Sequence, residues 1–346
     1  MKLQQRINAF VKLGDFLNRF LSGQNTTHSD FEDLNQVIKT AEAYNKWFSK
    51  DNILYALQSW ADVLTLENLE KWTNNYVFPD TQPKTITVIM AGNIPLVGFH
   101  DFISVLISGN KMQAKLSSND KHLLPFLANK LIDFEPGFKP FIEFTSERLS
   151  RFDAVIATGS DTSAGYFEYY FGKYPHIIRK NRNGIAILSG DETQEELECL
   201  ANDIFRYYGL GCRNVSKLFI PETYNFDAFF KAMFSWKHLI NQAKYMNNYD
   251  YNKAVYLISD IKLLDNEFLL LKEDAGYSSP IAVLFYQTYK NTDTLAKKLS
   301  NDSHHIQCIV SPDFNTKSLS FGSTQKPQLW DFADGVDTID FLLTNV

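Results

Sequence analysis

The chain has 346 residues, 45% of them apolar, with 34 Lys and Arg against 40 Asp and Glu. That length predicts about two domains with full apolar cores, and the mildly acidic balance argues against a dedicated nucleic-acid binder. The N-terminal MKLQQRINAFVKLGDFLNRF lacks the apolar run and cleavage site of a signal peptide, and no segment approaches membrane-span length. Three scattered cysteines, Cys199, Cys212 and Cys308, make neither a disulfide framework nor a C-x-x-C pair, which suits a reducing cytoplasm.

Residues 1 to about 75 read as helices. Ile7, Phe10, Val11, Leu17, Phe20 and Leu21 form an apolar stripe, broken at Ser22-Gly23 and Asn25-Thr26-Thr27. A second stripe holds Phe31, Leu34, Val37 and Ile38, and a third helix is predicted from Ile53 to Trp72. Beyond Pro79 and Pro83 the period changes. TITVIMAG (85–92) is a β-branched run ending at Gly, the pattern of a buried parallel strand. A helix over 96–108, a strand over 112–117, a helix over 120–134 and a strand DAVIATGS (153–160) follow, with Ser160 or Asp161 placed to cap the next helix. Strands are predicted at 185–189, 217–221, 280–286 and 306–311, helices at 193–208 and over the TDTLAKKLSN stretch, and one long helix at 226–247. Linkers are predicted near 76–84, 172–184 and 312–328. The alternation predicts an α/β fold with largely parallel sheets.

No G-x-G-x-x-G, Walker A or H-E-x-x-H sequence is present, and His304-His305, adjacent and expected to point apart, make a poor metal pair. Three segments carry chemistry instead. In MAGNIPLVGFHDFISVLISGNKMQAKLSSND (90–120), Asn93 leaves the C-terminal end of a strand, where open α/β sheets bind ligands. Its amide could donate to an oxyanion, or it could cap the next helix. In VIATGSDTSAGYF (155–167), a strand, a Gly-Ser turn and a helix start make an anion-binding arrangement. In YYGLGCRNVSKLFIP (207–221), Cys212 follows two glycines, with Arg206 and Arg213 near enough in sequence to favour a thiolate. Cys199, on a helix with Leu197 and Leu200, and Cys308, in IQCIV, read as packed small residues.

These segments, in this order, resemble the aldehyde dehydrogenase superfamily, and within it the LuxC-type acyl-CoA or acyl-protein reductases. The resemblance covers roughly 85–342 and includes the late stretch FGSTQKPQLWDFADGVDTIDFL (321–342). It implies an aldehyde-dehydrogenase-like fold of two parallel-sheet α/β domains with an N-terminal helical segment. Residues 1–178 would hold the nucleotide, residues 179–325 the nucleophile, and residues 326–346 would return to the nucleotide domain or form an oligomer contact. It also implies that Cys212 is the nucleophile and that Asn93 holds the oxyanion. Lys115, Ser117, Ser118, Gly159, Ser160 and Glu273 would then contact a nicotinamide dinucleotide. In many NAD-preferring members an acid stands three residues after the strand's Lys. Ser118 stands there here, which points to NADPH over NADH.

Several departures bear on the reaction. Gly159 reaches Gly165 with one residue more than the family spacing, the register at Glu273 is not fixed, and the chain after Cys212 is short. The family's general-base Glu is missing from its window, RKNRNGIAIL (179–188). An aldehyde oxidiser needs a base to activate water, whereas a reductase of acyl thioesters does not. The expected activity is therefore reduction of an acyl-CoA or acyl-carrier thioester to an aldehyde. The expectation includes no metal, no nucleic acid, a homo-oligomer, and a possible acyl-transferring protein partner. The alternatives are an aldehyde dehydrogenase taking its base from elsewhere, such as Glu168, and a silent nucleotide-binding or scaffold homologue.

Overall fold

The structure is a computed structural model and describes residues 1–23, 29–146, 149, 151–312, 314 and 317–346. The expected helix break at Asn25-Thr26-Thr27 and part of the linker at 312–328 lie outside the described residues. The chain forms two compact units, one of Met1–Lys180 with Gln328–Val346, the other of Asn181–Pro327.

The first unit opens with four helices: α1 (Leu3–Leu21), α2 (Ser29–Tyr44), α3 (Lys50–Val63) and α4 (Leu66–Thr73). The single helix predicted over 53–72 is thus two. Thr65 starts α4 by accepting the Asn68 N–H at 3.2 Å, while the turn at Leu64 packs on Gly14, where a Cβ would lie 2.5 Å from the Leu64 carbonyl oxygen. The alternating part follows as β1 (Thr85–Ile89), α5 (Phe99–Ile107), β2 (Lys111–Lys115), α6 (Leu123–Phe134), β3 (Ile142–Phe144), β4 (Ala154–Thr158), α7 (Asp161–Phe171) and β5 (His176–Arg179). All five strands are parallel, in the order β3-β2-β1-β4-β5. Ile86, Val88, Ala114 and Ile156 are wholly buried, as the continuous apolar runs require of a sheet covered on both faces. Phe10 of α1 meets Phe102 of α5 and Phe138 edge-on, which locks the helical segment onto the sheet's covering layer. Part of the predicted linker at 172–184 is strand β5.

The second unit runs β6 (Asn183–Ile187), α8 (Gln194–Phe205), β7 (Val215–Pro221), α9 (Asp227–Met233), α10 (Ala243–Ile258), β8 (Leu263–Asp265), β9 (Leu270–Glu273), β10 (Val283–Tyr289), α11 (Thr292–Asn301) and β11 (Ile306–Val310). Its six strands lie in the order β11-β6-β7-β10-β9-β8, parallel except for β8 at the edge. The long helix predicted over 226–247 is broken. A 3-10 stretch over Phe234–Asn241 ends at extended Gln242, and packing of Trp236 on Phe205 at 5.7 Å overrides the helical spacing. The last helix, α12 (Thr338–Thr344), packs against α5 in the first unit.

Candidate active site and nucleotide site

In the first unit the strand order reverses between β1 and β4. The connection through α5 leads from β1 to β2 on one side, while β4 and β5 lie on the other. Crevices at such switch points, outside the carboxyl ends of parallel strands, are where open α/β sheets take ligands. Ile89 is level with Lys115 on one flank and Ala157 on the other, so the loops after β1, β2 and β4 leave one edge together. They carry Asn93, then Ser117 and Ser118, then Gly159 and Ser160, and Lys115 is the last residue of β2. Six of the eight candidate residues thus lie along one sheet edge, with Asn93 next to Gly92 there.

Local packing explains the glycines there. A Cβ on Gly92 would lie 2.4 Å from Ser117 Oγ, so the backbone of the first loop packs against the Ser117 side chain of the second. A Cβ on Gly159 would lie 2.8 Å from Ser163 Cβ, which makes the turn into α7 tight. Ser160 caps α7 by accepting the Ser163 N–H at 3.3 Å, and the helix N-terminus then presents its positive dipole end to that edge. Asn93 is exposed, and the residue that precedes α5 is Gly98, five residues further on. The helix-cap alternative for Asn93 is overturned.

Two supports of this edge have no sequence signature. Leu96 stands at φ 58°, a conformation unfavourable for a branched residue, and its N–H donates to Asp120 Oδ2 at 2.9 Å. Burial pushes the Asp120 carboxyl up to about 6. Beneath β4, Arg179 grips Asp101 of α5 with two bonds of 2.5 and 2.8 Å, both side chains almost fully buried. The same guanidinium reaches Thr338 Oγ1 of α12 at 3.2 Å and Thr158 Oγ1, the residue before Gly159, at 3.5 Å.

In the second unit, Cys212 is exposed in the turn between α8 and β7. Tyr207, Tyr208 and Gly209 stand at φ 54°, 59° and 74°, so Gly209 serves the left-handed backbone. For the two tyrosines, both buried, that conformation costs about 1–2 kcal/mol each. The turn is clamped by Asn214. Its Oδ1 accepts the Gly211 N–H at 2.8 Å, and its Nδ2 donates to the carbonyls of Asp203 (2.9 Å) and Arg206 (2.8 Å) at the end of α8. Those carbonyls are among the four that a helix end leaves without intrahelical partners.

The two arginines take other partners. Arg206 Nε donates to Asn202 Oδ1 at 3.1 Å with its guanidinium over Trp236, and Arg213 Nε donates to the Thr324 carbonyl at 2.6 Å. The sequence reading of the other cysteines is corrected. Cys199 is exposed, because it lies on the outer face of α8, and Cys308 is half-buried, its thiol donating to the Arg213 carbonyl at 3.7 Å. Exposure therefore does not distinguish Cys212 from Cys199; the strained and clamped turn does. His304 and His305 also do not point apart. They share a 3-10 turn with ring centroids 4.0 Å apart, and among the described residues no group of three His, Cys, Asp or Glu is placed to hold a metal.

The family model for LuxC acyl-CoA reductase matches residues 15–235. The chain belongs to that family. No match was found among curated proteins. Solved structures add the fold. An indole-3-acetaldehyde dehydrogenase in complex with NAD+ is 12% identical, with a TM-score of 0.63 over 90% of this chain and 72% of its own. The KauB aldehyde dehydrogenase of Pseudomonas aeruginosa is 13% identical, with a TM-score of 0.62 over 90% and 72%. Aldehyde dehydrogenase 21 of Physcomitrella patens, in complex with succinate, is 14% identical, with a TM-score of 0.61 over 90% and 74%. This LuxC-family oxidoreductase therefore has the aldehyde-dehydrogenase-like fold that its motifs implied. Among the described residues, no helix is long and apolar enough to cross a membrane.

Within the reductase's second unit, Glu273 is the exposed last residue of β9. The turn after it is held from beneath by Lys217 of β7, a wholly buried lysine. Its ammonium donates to the carbonyls of Asp274, Ala275 and Gly276 at 2.9–3.0 Å and to Gln287 Oε1 at 3.2 Å, between the faces of Phe219 and Tyr277. Burial and then Lys298 push it down to about 8, against Asp274 and Asp302. Glu168, the alternative base, is exposed on α7 and paired with Lys180 at 2.9 Å.

Proposed function

We propose that this reductase converts an acyl thioester of CoA, or of an acyl-carrier protein, to the aldehyde through a thioacyl intermediate on Cys212, using NADPH in preference to NADH. The family match supports the reaction class. The observation that supports the nucleophile is the Cys212 turn, where Asn214 bonds the Arg206 carbonyl and the Gly211 N–H on either side of two left-handed tyrosines. Such strain persists only where surrounding contacts over-determine it, and it clusters at active sites.

The chemistry balances without water. The Cys212 thiolate adds to the acyl carbonyl carbon, the carrier thiolate leaves and takes a proton, and the acyl group is left as a thioester on Cys212. The loops at the first unit's sheet edge would hold a reduced nicotinamide dinucleotide, which would supply the hydride. Cys212 departs as thiolate when the carbonyl re-forms as aldehyde. Asn93 Nδ2 stabilises the carbonyl oxygen as charge develops on it. The first unit's edge fits the dinucleotide through the capped N-terminus of α7, the Lys115 ammonium and the hydroxyls of Ser117 and Ser118. The window 179–188 carries no acid to activate water, which favours thioester reduction over aldehyde oxidation.

The test is NAD(P)H oxidation against acyl-CoAs of graded chain length with aldehyde identified as product. NAD(P)+ reduction by aldehydes with release of acid, and no thioester reduction, would overturn the reading. Asn93→Ala is expected to lower turnover by about 10²–10³-fold with nucleotide affinity unchanged, read from steady-state rates and nucleotide titration. For cofactor choice, Ser118→Glu is expected to weaken NADPH far more than NADH, because a carboxylate repels the 2′-phosphate and accepts from ribose hydroxyls. Equal weakening of both in fluorescence titrations would remove Ser118 from that role.

A further inference from the structure

We infer that Asp203, with the late-chain segment Gly322–Thr324, is the positioning element of the Cys212 turn; this rests on the reading of Cys212 as nucleophile. Asp203 lies inside α8 and is wholly buried, an unusual place for a carboxylate unless it is fully bonded. Its Oδ2 accepts the Gly322 N–H at 2.6 Å, and its Oδ1 accepts the Thr324 N–H at 3.0 Å and the Thr324 hydroxyl at 2.7 Å. Thr324 is itself wholly buried, and its hydroxyl also accepts from Gln325 Nε2 at 3.1 Å.

The segment so held touches the cysteine turn directly. The Thr324 carbonyl accepts from Arg213 Nε at 2.6 Å, one residue after Cys212. From the other side, the main-chain carbonyl of the same Asp203 accepts from Asn214 Nδ2 at 2.9 Å, and Asn214 holds the Gly211 N–H, one residue before Cys212. One residue of α8 therefore fixes both flanks of the cysteine, by its carbonyl through Asn214 and by its carboxylate through Thr324 and Arg213. Gly322, at φ 84°, lies against Cys199, where a Cβ would come within 3.1 Å of Cys199 Cβ. The segment thus has a defined seat on α8. Hydrogen bonds to a buried carboxylate from main-chain N–H groups and a hydroxyl are short and directional, which suits a strut rather than a loose contact.

This gives the late-chain segment a role that its position, 110 residues beyond the cysteine, conceals. It also separates the contributions by readout. A strut that aims Sγ without touching substrate alters the chemical step, whereas substrate affinity stays put. Thr324→Val removes the hydroxyl bond to Asp203 and keeps the backbone bond, and Thr324→Ser restores the hydroxyl. Asp203→Asn removes the charge and sets an amide against the Gly322 N–H.

The experiment measures the rate of Cys212 alkylation by iodoacetamide, located by peptide mass, alongside kcat and KM for acyl-CoA reduction and the folded fraction by circular dichroism. Thr324→Val and Asp203→Asn are expected to slow Cys212 alkylation and kcat by about ten- to a hundredfold, with KM changed less than about twofold, and Thr324→Ser is expected to recover the wild-type rates. Wild-type alkylation and kcat in folded Thr324→Val, or a loss that merely follows the unfolded fraction in both variants, would overturn the inference. An active Cys212→Ala variant would instead overturn the nucleophile itself, so the two failures are distinguishable.

Discussion

Cys212→Ala is expected to abolish aldehyde formation and to leave no acyl group on the protein after incubation with labelled acyl-CoA. The substitution removes the thiol proposed to carry the acyl group, and the clamp of the turn is built on other residues. The clamp is made by Gly211, Arg213 and Asn214, through bonds to Asn214 Oδ1, to the Thr324 carbonyl and to the Arg206 carbonyl. The variant is therefore expected to fold normally and to bind nucleotide with wild-type affinity, because the loops proposed to hold the nucleotide belong to the first unit. Cys199→Ala and Cys308→Ala are the controls. Both thiols are at least partly accessible, so labelling alone does not separate them from Cys212, but catalysis does. Both variants are expected to keep their turnover. Label recovered on a Cys199 or Cys308 peptide, with turnover surviving in Cys212→Ala, would reassign the nucleophile.

Asp101→Ala is expected to give the largest loss of stability among single changes in the first unit, about 3–5 kcal/mol, the usual result of leaving a buried guanidinium without its carboxylate. Arg179 would keep the hydroxyls of Thr158 and Thr338, at 3.5 and 3.2 Å. The loss should also reach the nucleotide site. Thr158 precedes the Gly159-Ser160 turn, and the Gly159 N–H donates to the Arg179 carbonyl at 3.4 Å. Urea unfolding measures the first effect and nucleotide titration of the folded fraction the second. Pairing Asp101→Leu with Arg179→Met removes both charges together and is expected to recover much of the stability, since desolvation offsets most of what such a pair contributes. A double variant no better than Asp101→Ala would show that the hydroxyl bonds to Thr158 and Thr338, rather than the charge pairing, carry the energy.

What the sequence determined by itself is the alternation and the loops that matter. Continuous β-branched runs ending in Gly-Asn or Gly-Ser read as buried parallel strands delivering polar turns at their carboxyl ends, which places Asn93 and Ser160 on loops; Lys115 reads as part of a strand and Cys212 as part of the turn before one. Ser160 was read as a cap from its place before a helical pattern, and its oxygen does accept the Ser163 N–H. Short elements escaped because their signals are short: β5, β8 and β9 have four residues or fewer, and β5 lay in a stretch that reads as linker. The break between α3 and α4 escaped because the apolar spacing runs on through it, while the seat of Leu64 on Gly14 and the Thr65 cap turn the chain there.

The supports of the site were decided by tertiary structure alone. Arg179 meets Asp101 across 78 residues, Lys217 meets the turn after Glu273 across 57 to 59, and Asp203 meets Thr324 across 121. Nothing in local periodicity marks such residues, because period reports which face is buried and not what a buried charge will meet. A lysine in a strand and an aspartate in a helix each read as a solvated face. They become struts only when folding removes them from water and supplies oxygens or N–H groups in number to match their charge.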